Sequence, residues 1–257
     1  SKIKMIYLRE RAKLPSTPAL EFPIQNYERP DESHGSARAG LSYGHQSERG
    51  EWIEADMRFA LHDLLDPQYG YPKNAQIEFF RFTGSYYKDE DKVQLDEMKF
   101  FEVKLVSPLE RLERSYSWRA QIGFDRSSVD CTDCLAAQLL LQGGGALGFF
   151  QDRLITYLLV GGNTLFSPRF EKNNLRVSPL GTLGVRVRFT ENLNFLTHAE
   201  YQAHKIYGLS DESSLQAEVR QAFGKNWALG ANYKMDQIYA VKDLKNETYR
   251  FRLFYYF

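Results

Sequence analysis

The residues of this chain that could do chemistry fall in three small groups. His198, Glu200 and His204 lie an even number of residues apart, so in an extended segment they project from one face. At a rise of about 3.3 Å per residue, His198 and Glu200 stand about 7 Å apart, too far to hold one metal ion without help from neighbouring segments. That spacing favours hydrogen bonding along a polar face, and no metal site is expected. Cys131-Thr132-Asp133-Cys134 has the spacing of a redox or zinc half-site, but the chain holds only two cysteines, so a second pair is missing. A small disulfide loop is expected there, with a free thiol pair as the alternative. The third group is His62-Asp63-Leu64-Leu65-Asp66-Pro67-Gln68-Tyr69-Gly70-Tyr71, which carries a His, two carboxylates and two Tyr. It reads as a capped turn, initiated by Asp66-Pro67, with Gly70 supplying an unusual backbone angle. None of the three supplies a catalytic set, and none implies a cofactor.

The elements that must position these groups are strands. Tyr249, Phe251, Leu253, Tyr255 and Phe257 occupy alternate positions, with Arg250, Arg252, Phe254 and Tyr256 between them. An aromatic-alternating strand ending on Phe has the character of the closing strand of bacterial outer-membrane β-barrels, whose assembly machinery reads such a signal. The same period-2 pattern recurs upstream. Ile53, Ala55, Met57, Phe59 and Leu61 alternate with Glu54, Asp56 and Arg58, and Leu183, Val185, Val187 and Phe189 with Thr182, Gly184, Arg186 and Arg188. Twelve strands are predicted, at about 37–46, 51–61, 75–87, 93–106, 113–126, 135–150, 153–166, 174–189, 193–207, 212–224, 226–241 and 246–257. Phe79, Phe80, Phe82, Phe100 and Phe101 populate both faces of the third and fourth, leaving their register open. An even count places both ends of the barrel chain in the periplasm. The connections at 62–74, 107–112, 151–152, 190–192 and 224–226 then face the periplasm, and those at 131–134 and 167–173 face outward. The polar faces predict a lumen lined by Glu54, Asp56, Arg58, Glu78, Arg119, Arg186, Arg188, His198, Glu200, His204, Glu218, Arg220, Lys234, Asp236, Arg250 and Arg252. Buried charges of both signs are costly unless they pair, so a salt-bridged, largely closed lumen is expected, with a selective pore as the alternative.

Composition agrees with an all-β transmembrane antiparallel barrel. Lys plus Arg and Asp plus Glu both number 33 in 257 residues, which offers no net charge for nucleic acid. Aromatics reach 14%, enough for interfacial girdles. A mean hydropathy of −0.49 is compatible with the bilayer, because a barrel needs only every second residue apolar. No run of about 18 apolar residues could form a membrane helix. Residues 1–36 differ: Ile3 to Leu14 suits a short helix, Pro15 and Pro18 end it, and a polar linker continues to Ser36. The division expected is therefore 1–36, helix and periplasmic linker, and 37–257, outer-membrane barrel of a Gram-negative bacterium. With no signal peptide visible, a mature chain or C-terminal fragment is expected. Outer-membrane lipids and the barrel-assembly machinery are the expected partners.

The run His62 to Tyr71 followed by Ala75-Gln76-Ile77-Glu78, then Cys131 to Cys134 with Leu135, then Gly143-Gly144-Gly145, resembles the C-terminal barrel of the Lnb-type family, and Arg9 to Leu14 is similar to the end of that family's periplasmic domain. The resemblance implies lipoprotein N-acylation by a Cys and His pair in an N-terminal periplasmic domain that lies outside this chain. It makes this chain an anchor, inactive alone, which presents phospholipid at the inner rim and seats the upstream domain on the 62–74 connection. A small-solute channel is the alternative, and a self-contained lipid-modifying barrel enzyme a third.

Overall fold

A computed structural model describes residues 2–14, 29–109, 115–127, 134–170, 174–204, 209–239 and 244–257. After α1 (Lys2–Ala12) and a single 3₁₀ turn (Pro30–Glu32), the described residues form twelve strands: β1 Arg38–Gln46, β2 Gly50–His62, β3 Ala75–Tyr87, β4 Lys92–Leu105, β5 Ser117–Ser127, β6 Cys134–Phe149, β7 Leu154–Phe166, β8 Leu175–Arg188, β9 Leu193–Gln202, β10 Glu212–Phe223, β11 Trp227–Ile238 and β12 Leu244–Tyr256. Each pairs antiparallel with its neighbours in sequence, and β1 pairs with β12 to close the barrel. Closure satisfies every strand edge, which is what allows a sheet to sit in hydrocarbon.

Alternation sorts the side chains as the sequence suggests. On β12, Phe251 is 69% exposed on the outer face while Arg252 beside it is 7% exposed in the lumen. The even positions continue inward to Phe254 and Tyr256, both buried. The ambiguity in β3 and β4 has a concrete cause. In β3 the inward residues Tyr87, Ser85 and Thr83 lead to Arg81, whereupon Phe80 adopts a left-handed conformation (φ 48°), and Glu78 and Gln76 then face inward. In β4 the register slips against β3 between Thr83 and Gly84, and against β5 between Lys99 and Phe101. Each extra residue moves the downstream part of the strand to the other face. Gln94, Lys99, Glu102 and Lys104 consequently all reach the lumen, although no single period-2 pattern contains them.

The strand limits depart from expectation at two places. β5 begins at Ser117 and β9 ends at Gln202, where Ala203 N–H turns to Pro179 O and His204 N–H to Asp211 Oδ1. Turn length does not distinguish the two ends of the barrel. We call the end where β1 starts and β12 finishes the base, and the opposite end the mouth. The tight turns are shared between the two ends, and the base carries the long connections 63–74 and 106–116. The first of these is long because it does not stay at the rim.

Candidate functional site

The β2–β3 connection folds back into the barrel and plugs its base. Asp63 starts the fold: its Oδ1 accepts from Leu65 N–H at 2.8 Å and Asp66 N–H at 3.0 Å, closing a tight turn. That turn carries Leu64 across the lumen into an apolar seat of Val106, Ala146, Ile155, Tyr157 and Leu159, with Leu196 packed against it. Leu65 O accepts from Asn194 Nδ2 on β9 at 3.1 Å, and Asn74 Oδ1 accepts from Arg186 Nη1 on β8 at 2.6 Å. The plug thus reaches from β2 and β3 to the far wall.

Charge fixes it in place. Asp63 Oδ2 takes Arg38 Nη1 at 2.6 Å and Arg220 Nη1 at 2.8 Å. Asp66 takes Arg58 Nη1 at 2.7 Å, Arg220 Nη1 at 2.7 Å and the Tyr256 hydroxyl at 2.6 Å. Burial alone would raise both carboxyls. For Asp63, Arg220, Arg38 and Arg58 outweigh burial and hold it well below the usual carboxylate range. For Asp66, Arg58 leads the arginines that do the same against the nearby Asp63 charge. The Phe254 ring lies 4.5 Å from both the Arg38 and the Arg220 guanidinium carbons, so the inner aromatics of the closing strand complete the seat. Beneath it, the His34 ring stacks on Tyr71 at 4.6 Å, and the Tyr71 hydroxyl donates to His34 O.

This arrangement corrects the reading of 62–74 as a rim turn on which another domain could sit. His62, Asp63 and Asp66 are buried, and Pro67 and Gly70 serve to return the chain to β3. The signal that could have revealed it was two carboxylates in a connection at the end of the barrel where Arg38, Arg58 and Arg220 all face inward.

Above the plug lies a cavity of about 850 Å³, floored by Asp63, Leu64 and Leu65 and lined at the mouth by Gln46, Arg49, Glu90 and Asn246. The expected lumen residues do face inward, and many pair across strands. Arg250 Nη1 holds both oxygens of Glu54 at 2.9 and 2.8 Å, Arg119 bridges Glu102 and Glu200 at 2.9 Å each, and Arg252 meets Glu218 at 3.3 Å, while Lys234 meets Asp236 of its own strand at 2.9 Å. Glu78 lies 3.6 Å from Arg58, and Asp56 3.1 Å from Arg81. Arg186 and Arg188 make no such pair: among the described residues no carboxylate lies within ion-pair distance of either. One sector of the wall is neutral, with Gln121, Gln138, Leu140, Asn163 and Leu180 facing the cavity.

His198, Glu200 and His204 share the inner face of the β9 chain but do not converge. Glu200 is taken by Arg119 and Thr182, while His204 Nδ1 contacts Ser178 Oγ at 2.8 Å. Ser178 and His204 are each 1% exposed, so the pair is buried. Among the described residues no cluster of His, Cys, Asp or Glu has the geometry to hold a metal ion. Cys134 is held in a disulfide and fully buried; Cys131 lies outside the described residues. Tyr249, Phe251, Leu253, Tyr255 and Phe257 all lie on the outer face.

A closed twelve-strand antiparallel barrel with an aromatic outer face and a charged lumen is an outer-membrane β-barrel with a channel-like fold. The fold is similar to that of the COG4313 outer membrane channel from Pseudomonas putida F1, at 10% sequence identity and a TM-score of 0.52, covering 92% of this chain and 100% of that one. It is also similar to the KdgM porin in complex with disordered oligogalacturonate, at 10% identity and a TM-score of 0.49, covering 86% and 99%. No curated protein matches the chain in sequence. The model of DUF7840, a domain of unknown function, matches residues 27–256, and the chain belongs to that family. The resemblance to the Lnb-type family is thereby overturned: the family that matches is DUF7840, over nearly the whole chain, and nothing in that match points to an acyltransferase-like family. The motifs that suggested it have other roles here, His62 to Tyr71 as the plug and Gly143 to Gly145 as part of the β6 wall.

Proposed function

We propose that this barrel is a small-solute channel closed at its periplasmic base by the 63–74 plug. The observation that carries the reading is the cavity of about 850 Å³, which runs from Gln46 and Asn246 down to a segment held by ion pairs rather than by continuous strand. A static anchor has no need of a polar, water-sized space through most of its depth. A transport path does, and a plug tied by side chains can leave without breaking the sheet. Charges of both signs and a neutral amide wall favour a small neutral or zwitterionic solute over an ion of one sign.

Liposome swelling tests the reading. A variant in which residues 64–71 are replaced by a short Gly-Ser turn should admit small sugars and amino acids, fastest for the smallest, while the intact barrel admits them slowly. A folded deletion variant that stays impermeable would sink the proposal.

A further inference from the structure

We infer that Arg186 and Arg188 form a binding site for a phosphate-type oxyanion at the base of the barrel, beside the plug. Both lie on the inner face of β8. Arg186 is 2% exposed; its Nη1 donates to Asn74 Oδ1, whereas its Nε and Nη2 are buried with no hydrogen-bond partner. Arg188 is half-buried at the lip, and its Nε is likewise buried and unpartnered. Arg38, Arg58, Arg119, Arg220, Arg250 and Arg252 all have a carboxylate within ion-pair distance. Among the described residues, Arg186 and Arg188 have none. Two adjacent guanidiniums in a largely dehydrated base require a counter-charge. The free Nε and Nη2 of Arg186 form the edge that takes two oxygens of one anion side by side.

A third group narrows the class of anion. Asn194 stands opposite Arg188 in the β8–β9 register. Its Nδ2 is committed to Leu65 O, which fixes the amide's orientation and leaves Oδ1 buried and without a donor. Chloride and carboxylate carry no proton to offer that oxygen. A hydrogen phosphate or a phosphomonoester has both, oxygens for the arginines and a P–OH for Asn194. The same chemistry could arrive as free phosphate from the periplasm or as a phosphomonoester lipid headgroup at the inner rim.

The test does not pass through transport, so it succeeds or fails independently of the channel reading. Sodium phosphate is titrated calorimetrically into the full barrel in maltoside detergent, against sodium chloride at matched ionic strength. In a second arm the barrel is placed in nanodiscs of phosphatidylcholine with or without phosphatidic acid, and retained lipid is counted by native mass spectrometry. Saturable phosphate binding in solution assigns the site to the free anion. Retention of phosphatidic acid without it assigns the site to the headgroup. In either case Arg186→Gln should weaken binding at least tenfold, Arg188→Gln should weaken it several-fold, and Lys245→Gln at the mouth should leave it unchanged. Heat-modified gel migration confirms that each variant is folded, and Arg188→Gln at the lip serves if Arg186→Gln does not fold. Absence of binding in both arms, or arginine variants that bind like the parent, would overturn the inference.

Discussion

Asp66→Asn is the substitution that most directly probes the plug. It keeps the size of the side chain and removes one of the two negative charges that the plug itself places among Arg38, Arg58 and Arg220. The carboxylate is 0% exposed and accepts at 2.6 to 2.7 Å from Tyr256, Arg58 and Arg220. Removing one partner of a buried ion pair costs about 3–5 kcal/mol when the remaining charge is left uncompensated. Here Arg58 keeps Glu78 at 3.6 Å and Arg220 keeps Asp63 and Glu218 at 2.8 and 2.6 Å, which sets the cost at the low end. The plugged state bears that cost. In the displaced state, water enters the base and solvates Arg58 and Arg220. Even the lower figure of about 3 kcal/mol shifts the balance between seated and displaced plug roughly a hundredfold. In planar bilayers the parent barrel should show rare openings, and Asp66→Asn should raise the open fraction by about two orders of magnitude at unchanged unitary conductance. A folded Asp66→Asn barrel that opens no more often than the parent refutes the argument that these charges hold the plug.

Other outcomes rest on the same geometry. Because Asp63 and Asp66 are depressed below the ordinary carboxylate value, their contribution is complete above about pH 4 and is lost only as pH falls through the depressed values. Opening should therefore be unchanged between about pH 8 and pH 5, and openings that multiply over that range would contradict the assignment. Leu64→Ala empties the apolar seat formed by Ile155, Tyr157 and Leu159 at a cost of about 2–5 kcal/mol, and should raise the swelling rate in liposomes. Gly184→Ala places a methyl group against the Tyr157 ring in the wall and should lower the unfolding midpoint in denaturant. Phe251→Arg on the lipid face should destabilise the inserted barrel by roughly 2–4 kcal/mol, measured by refolding into vesicles, without altering conductance.

Much of the barrel was legible because a lipid-facing strand has only one way to alternate. Phe251 and Leu253 against Arg250 and Arg252, or Val185 and Val187 against Arg186 and Arg188, fix face and direction without reference to any partner strand. That logic fails where a strand carries an extra residue. Lys99, Glu102 and Lys104 escape it because the β4 bulges change which parity faces in, and the consecutive Phe pairs record those changes. The plug was hidden for another reason: a connection has no period to read, and its fold is dictated by residues about 130 to 190 positions away, Asn194, Arg220 and Tyr256 among them. The pairing of Arg250 with Glu54 and of Arg252 with Glu218 was implied by the charge balance, but the isolation of Arg186 and Arg188 depends on which carboxylates the bulges and the plug engage elsewhere.

The same long separations set an order of assembly. Arg38 and Arg58 are made early and lie beside the plug in sequence, but Asn194, Arg220, Phe254 and Tyr256 belong to the last four strands. Until β9 to β12 have wrapped round to meet β1, residues 63–74 have the Leu64 seat on β6 and β7 and Arg186 on β8, but lack Asn194, Arg220, Phe254 and Tyr256. The full set of plug contacts is therefore complete only when the seam closes, and loop closure over such spans is the slow part of folding an all-β chain. Docking of the plug on Tyr256 and closing of the β1–β12 seam thus belong to the same late step of folding.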